Sequence, residues 1–230
     1  LEKGCVDILL RHGVRCVEAS AFMKLTPHLV RYRAAGLERT AQGGVICRNK
    51  VIFKLSRAEL AQMACRPAPR AMLDALVQRG EITPDQADMA QQVPMADCIV
   101  AEADSGGHTD RRPLAVILPL FIQLTAEVAE ELDYPEPLMV GAAGGIGDPA
   151  AMLAAFSMGA AFVVTGTVNQ MCREAGTSDF VRDALRKASN TDVAMAPAAD
   201  MFVLDGRQLA VCPDTICGPG QAALRCVPQI

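Results

Sequence analysis

Five short apolar runs, separated by amphipathic stretches, constrain the fold of this chain more than any other feature of its sequence. They span residues 14–22, 50–56, 97–103, 138–143 and 161–165. Each is nearly continuous in apolar character rather than alternating, as expected of a strand buried on both faces and therefore of a parallel sheet wrapped by helices. The intervening stretches carry helix punctuation. Leu10-Arg11-His12-Gly13 ends one helix with cations in its last turn and glycine at the C-cap. Thr26-Pro27 opens another with an N-cap and a proline at the first helical position. Asp148-Pro149 repeats that device and Gly159 closes the helix it opens. Residues 138–167 make a βαβ unit of the expected length, and the whole reads as an α/β protein with a parallel sheet.

One stretch breaks the rhythm. Residues 66–94 are too long for a single crossover helix and contain two helical segments, the second opened by Thr83-Pro84. They read as an inserted helical subdomain serving as a lid or docking surface. Residues 203–230 lose all periodicity, are rich in Cys, Gly and Pro, and read as an atypical tail, disordered or frame-shifted.

Composition excludes several classes. The longest apolar candidate, residues 113–124, is broken by Pro119 and Gln123 and falls short of the roughly 18–20 residues that span a bilayer. No signal peptide is recognisable, so the reading is a cytoplasmic protein without a membrane segment. Residues 1–80 hold 14 Lys+Arg against 6 Asp+Glu, and the remainder 8 against 20. That asymmetry reads either as a solvated surface or as a face toward an acidic carrier or a phosphate. With no Trp and two Tyr there is little on which to stack bases, so nucleic acid is not expected as a partner. The nine cysteines are odd in number and no pair has CxxC spacing, which argues for reduced thiols and no metal site.

Two clusters carry chemistry, both at the C-terminal ends of expected strands, where βα folds place their sites. The first is Ala101-Glu102-Ala103-Asp104-Ser105-Gly106-Gly107-His108. Paired glycines let a planar ligand approach the backbone, and His108 brings a group titrating near neutrality. Alone, the pair reads equally as a turn and His108 as a loop residue; His12 and His28 read as helix-end residues. The second cluster is Gly141-Ala142-Ala143-Gly144-Gly145-Ile146-Gly147-Asp148, joined one βαβ later by Thr165-Gly166-Thr167. Successive glycines expose amides and a helix start adds its positive end, so Gly144, Gly145, Gly166 and Thr167 read as a phosphate cradle. Lys54, inside an otherwise apolar strand, needs either an anionic ligand edge or a carboxylate such as Glu18, Glu102 or Asp104. No GxGxxG, P-loop or GxSxG motif is present.

Ser105-Gly106-Gly107-His108, Gly144-Gly145-Ile146 and Thr165-Gly166-Thr167 together resemble the signatures of strands six, seven and eight of the nitronate monooxygenase-like flavoproteins. Val17-Glu18-Ala19-Ser20-Ala21-Phe22, Asn49-Lys50-Val51-Ile52 and Thr167-Val168-Asn169-Gln170 are similar to the PfaD-type enoyl reductase branch. The resemblance covers roughly residues 1–202. It implies an FMN-dependent (β/α)8 TIM barrel, represented by about five βα units (strands four to eight) in 1–65 and 95–202, with 66–94 inserted. It also implies NADPH as reductant and α,β-unsaturated acyl thioesters on acyl carrier protein domains of a fatty acid or polyketide synthase as substrates. A homodimer is one assembly open to it. By the same resemblance, FMN phosphate sits on Gly144, Gly145, Gly166 and Thr167, the ring near Gly106 and Gly107, and His108 is the catalytic histidine. Lys54 joins the cofactor-binding set. Asp104 and Ser105 stand where the broader family commonly has an acidic residue and Ala, which keeps nitronate oxidation open as the alternative chemistry. An inactive fragment, or a docking partner of a synthase, is the alternative of another class.

Overall fold

A computed structural model describes residues 2–20, 23–105, 109–189, 192, 194–197 and 208–211. The chain runs α1 (Glu2–Arg11), β1 (Cys16–Ala19), α2 (Pro27–Ala35), β2 (Leu37–Arg39), β3 (Val45–Cys47), β4 (Lys50–Leu55) and α3 (Ala58–Ala64). It continues through α4 (Arg70–Gln78), α5 (Pro84–Ala90), β5 (Cys98–Glu102), α6 (Leu114–Glu131), β6 (Met139–Ala143) and α7 (Pro149–Ser157). After these come β7 (Phe162–Val164), α8 (Thr167–Gln170), α9 (Asp179–Lys187), β8 (Ala194–Pro197) and β9 (Gln208–Val211). Every one of the five apolar runs forms a strand of a single parallel sheet, ordered β1-β4-β5-β6-β7. Parallel strands laid side by side in chain order, with helices between them, are an arc of a (β/α)8 barrel.

The arc has two unlike faces because successive strand residues point to opposite sides. Val51, Phe53, Leu55, Ile99, Ala101, Val140 and Ala142 point outward and are buried under the helices. Each such side chain of Val, Leu, Ile or Phe size contributes roughly 1.5–3 kcal/mol relative to exposure. The other face, the inner wall, carries Ile52, Lys54, Cys98, Val100 and Glu102, its rows fixed by the strand register. The expected caps are present. Thr26 accepts from the Leu29 amide, Asp148 from Ala150 and Ala151, and Thr83 and Gln86 form a reciprocal capping box.

Three features differ from expectation. The antiparallel hairpin β2–β3 lies where no strand was expected. Pro119 interrupts the apolar run, and no helix among the described residues is long and apolar enough to cross a membrane, yet α6 continues through the proline for 18 residues. The proline costs the Ala115 carbonyl its helical donor, but buried Ile117, Leu118 and Phe121 hold the helix to the core. The lid reading of 66–94 does not match the placement of the insertion. Its ends are tied together by Met95 N–H donating to the Arg66 carbonyl and Ala96 N–H to Ala64. It therefore lies where α3 ends and β5 begins, opposite the glycine loops. Leu73, Leu76 and Met89 are buried in the same core cluster as the sheet. Of the tail, Gln208–Val211 pairs antiparallel with Ala194–Pro197, and 203–207 and 212–230 lie outside the described residues.

A buried polar hub fastens this N-terminal end of the sheet. Arg33 is 2% exposed. Its guanidinium donates to Asp97 Oδ2 (2.5 Å), to the Asn49 carbonyl (3.0 Å) and to the Pro94 carbonyl (3.0 Å). Asp97 also accepts from Lys50 Nζ at 2.9 Å and from the Val51 amide at 2.8 Å. One cation thus locks α2, the start of β4, the end of the insertion and the start of β5.

Candidate functional site

The opposite, C-terminal end of the sheet gathers the glycine loops. In register, Glu102 pairs with Ala143 and Ala143 with Val164. The loops after β5, β6 and β7 consequently leave the sheet at one level. Ala103 N–H donates to the Ala143 carbonyl at 2.8 Å, carrying the β5–β6 pairing one residue into the loops.

Gly144 is the closest joint. Its φ of +90° suits glycine alone among common residues, and a Cβ placed there would lie 2.7 Å from the Ala103 carbonyl oxygen and 2.9 Å from that of Asp104. The loop after β6 thus presses its backbone against the start of the loop after β5. Gly145 also has positive φ (+69°), but a Cβ there would meet nothing within 4 Å, and the same open space borders Gly166. Thr167 opens α8, so its amide has no intrahelical acceptor. Asn169 braces this turn, donating from Nδ2 to the Thr165 carbonyl at 2.8 Å. A backbone that only glycine permits, open space beside it and unclaimed amides suit a phosphate.

The helix end is not part of that cradle. Asp148 Oδ1 accepts from the Ala150 and Ala151 amides at 2.8 and 2.9 Å, so a carboxylate already satisfies the positive end of α7. The expectation of a phosphate on this helix start is corrected accordingly. What remains for an anion is the loop backbone at Gly144, Gly145, Gly166 and Thr167.

Gly106, Gly107 and His108 lie outside the described residues. Their flanks do not. Asp104 N–H donates to the Arg112 carbonyl at 3.0 Å, closing the neck of the loop that carries them. Asp110 then ties the loop to the end of β4. It accepts from Arg57 Nε and Nη2, both at 2.9 Å, and from Ser56 Oγ at 2.7 Å. The Arg57 hydrogen bonds hold the Asp110 carboxyl below the usual carboxylate range. Sequence reasoning missed this clamp; the only local signal is that Ser56-Arg57 directly follows an apolar strand and Asp110 follows His108 by two residues.

Lys54 lies one layer below the loops. Its Nζ is 2.7 Å from Glu102 Oε1 and 3.7 Å from Glu18 Oε1. Of the partners considered for it, two carboxylates are therefore in place, and Asp104 is not among them. Glu102 is only 7% exposed, so the pair keeps one buried carboxylate and one cation on the inner wall beneath the loop mouth.

A family model for nitronate monooxygenase matches residues 45–202. One component of the polyunsaturated fatty acid synthase of Thraustochytrium sp. is 61% identical over 204 residues, covering 88% of this chain and 14% of that protein. The polyketide biosynthesis protein PksE of Bacillus subtilis is 48% identical over 201 residues, 87% of this chain and 26% of PksE. Among solved structures, the enoyl reductase domain of MlnA, from the macrolactin biosynthesis cluster of Bacillus amyloliquefaciens, superposes with a TM-score of 0.86 at 37% identity. The match covers 92% of this chain and 47% of that one. FabK from Thermotoga maritima, at 20% identity and a TM-score of 0.52, shares the fold. The chain therefore spans a minor part of the curated relatives and about half of the MlnA structure.

Proposed function

Since this chain belongs to the nitronate monooxygenase family, we propose that it supplies the flavin site of an enoyl reductase of polyunsaturated fatty acid or polyketide synthesis, acting in the cytoplasm. The reductant is NADPH and the substrate an α,β-unsaturated acyl thioester on an acyl carrier protein domain. The observation that carries the reading is the shared row Glu102, Ala143 and Val164, from which all three glycine loops depart. The relative named as part of a fatty acid synthase and the MlnA enoyl reductase domain support the substrate class.

The residues fit FMN. Gly144, Gly145, Gly166 and Thr167 would hold its phosphate on backbone amides, with Gly106 and Gly107 beside the ring. When bound, FMN supplies a two-electron carrier between the nicotinamide and the β-carbon of the enoyl group. The chain's own residues do the rest. His108 polarises the thioester carbonyl or supplies the proton, a role suited to imidazole near neutral pH. The Asp110 clamp and the Asp104–Arg112 neck hold the loop that presents it. Lys54, held by Glu102, keeps a positive charge on the inner wall, where it would face a bound flavin as one of its cofactor-binding residues.

The test is direct. The purified protein is expected to bind FMN, to oxidise NADPH anaerobically in the presence of an enoyl thioester, and to lose that turnover in His108→Ala. Oxygen uptake with an alkyl nitronate, without need of NADPH, would instead establish the alternative chemistry that the family model's description favours. Carrier-protein capture with no flavin binding would identify the chain as a docking fragment.

A further inference from the structure

The hairpin β2–β3 forms a small sheet of its own beside the start of β4, at the end of the molecule opposite the glycine loops. β2 packs against α5, whereas β3 has β2 as its principal neighbour among the described elements. Strands added to the main sheet would pair with β1 or β7, not with β3. Thr40 N–H donates to the Gly44 carbonyl and Arg48 N–H to that of Gly36. The hydrogen-bonded pairs of the hairpin are therefore Thr40–Gly44, Glu38–Ile46 and Gly36–Arg48. Val45 and Cys47, at the alternate positions, turn their N–H and C=O groups away from β2. Those groups meet no hydrogen-bond partner among the described residues.

Beside this strand lies a hollow of about 580 Å³, bordered by Arg15, Glu38, Ile46, Cys47, Arg48 and Lys50. Its charges do not cancel. Arg48 is matched by Glu38 at 3.1 Å, and Lys50 shares Asp97 with the buried Arg33. Arg15 meets an amide oxygen instead of a carboxylate, Asn49 Oδ1 at 2.9 Å. Arg15, Arg33, Arg48 and Lys50 against Glu38 and Asp97 leave an excess of two positive charges. Ile46 adds exposed apolar surface at the same place.

We propose that β3 is a docking edge for an extended acidic polypeptide segment, which joins the hairpin as a third strand. An apolar side chain of that segment lies beside Ile46, and a carboxylate two residues away lies on the same face toward Arg48 and Arg15. The proposal goes beyond the flavin reading and does not depend on it. The free backbone groups at 45 and 47 offer main-chain pairing to any extended segment, and the excess positive charge selects an acidic one. Charge also argues against the other occupants. Pairing β3 with a second copy of itself would bring two cation-rich hollows together. Residues 212–230 hold one Asp and one Arg, so the tail supplies no net negative side-chain charge.

The experiment titrates a short fluorescent peptide into the whole protein at low salt and follows amide hydrogen exchange in parallel. In the peptide Val and Glu alternate on one strand face and Thr fills the other. It is expected to bind and to slow exchange at Val45 and Cys47 roughly tenfold, with little change at Ile46, whose amide is already paired. Arg15→Gln with Arg48→Gln brings the local excess to zero and is expected to weaken binding about tenfold and flatten its salt dependence. Val45→Pro removes an edge donor where a strand edge tolerates proline, and loses binding while the fold persists by circular dichroism. A peptide with Lys in place of Glu, or one N-methylated on the amides that would face β3, does not bind; the N-methylated peptide decides the matter should Val45→Pro fail to fold. Binding that survives N-methylation assigns the hollow to carboxylates without strand addition and overturns the proposal. Equal binding of the Lys peptide, undiminished binding by the double variant, or no binding at ~1 mM peptide overturns it as well. Protection of Val45 and Cys47 that grows with protein concentration in the absence of peptide assigns the edge to a second copy, with the same result. None of these measurements involves flavin or turnover, so they stand or fall separately from the enoyl reductase reading.

Discussion

Replacing Gly144 and Gly145 in turn by alanine separates two effects that glycine pairs usually confound. Both residues have positive φ, +90° and +69°, so each alanine carries an L side chain in the left-handed region. That costs roughly 1–2 kcal/mol, of which about 0.4–1 kcal/mol is offset by the reduced freedom of the unfolded chain. The two positions differ in what the new methyl meets. At 145 it enters open space; at 144 it meets Ala103 and Asp104 carbonyl oxygens at 2.7 and 2.9 Å, and backbone cannot rotate away as a side chain would. Overpacking of that kind costs about 1–3 kcal/mol, so Gly144→Ala is expected to be less stable than Gly145→Ala by that margin. Urea unfolding of the three proteins measures the difference, with the native-state slope as a check on compactness. Flavin titration tests the proposed cofactor site as well: the overlap at 144 must push the loops after β5 and β6 apart, so under that proposal Gly144→Ala is expected to lose FMN affinity by more than its stability deficit explains. Equal stability of the two alanine variants, or a lower stability of Gly145→Ala, would refute the claim that the two loops are in backbone contact.

Three further outcomes follow from other parts of the structure. Asp97→Ala leaves the Arg33 guanidinium buried without its carboxylate, and is expected to cost about 3–5 kcal/mol in urea unfolding. Because the folded Asp110 carboxyl titrates below its ordinary value, its clamp contributes stability in full above the unfolded pKa of roughly 3.9 and loses it as pH falls through the lower folded value. Asp110→Asn should accordingly be less stable than the native protein by a constant margin of about 0.5–1 kcal/mol above pH ~5, with the gap narrowing only at lower pH in acid-unfolding curves. Burial pushes the Cys65 thiol up to about 12 and that of Cys98 up to about 11, so at pH 8 both should alkylate far more slowly than exposed Cys5 and Cys172, as read by peptide mass mapping of iodoacetamide-treated native protein.

The parts of this molecule that could be read from its sequence are those whose causes are local. Runs such as Val51-Ile52-Phe53 and Ile99-Val100-Ala101 mark strands because they are apolar on both faces, and Thr83 and Asp148 mark helix starts because their oxygens cap the next amides. The β2–β3 hairpin escaped because each strand has three residues and one, Leu37-Glu38-Arg39, places two charges in solvent. Asp148 shows how two local readings can compete. The residue marks a helix start and, through that helix, suggests a phosphate there; once its carboxylate occupies the amides, the second inference fails for the reason that the first succeeds. Long-range pairs were hidden altogether. Nothing near Arg57 points to Asp110, 53 residues later, and Arg33 gives no sign that it will meet Asp97 across 64. The candidate site divides along the same line. Strand register, set by the apolar runs, dictates that the loops after β5, β6 and β7 leave the sheet at one end, and that common end was deducible. Which carboxylate holds which cation depends on how the loops close, and that arrangement fixes Asp104 and Asp110, the described residues on either side of 106–108.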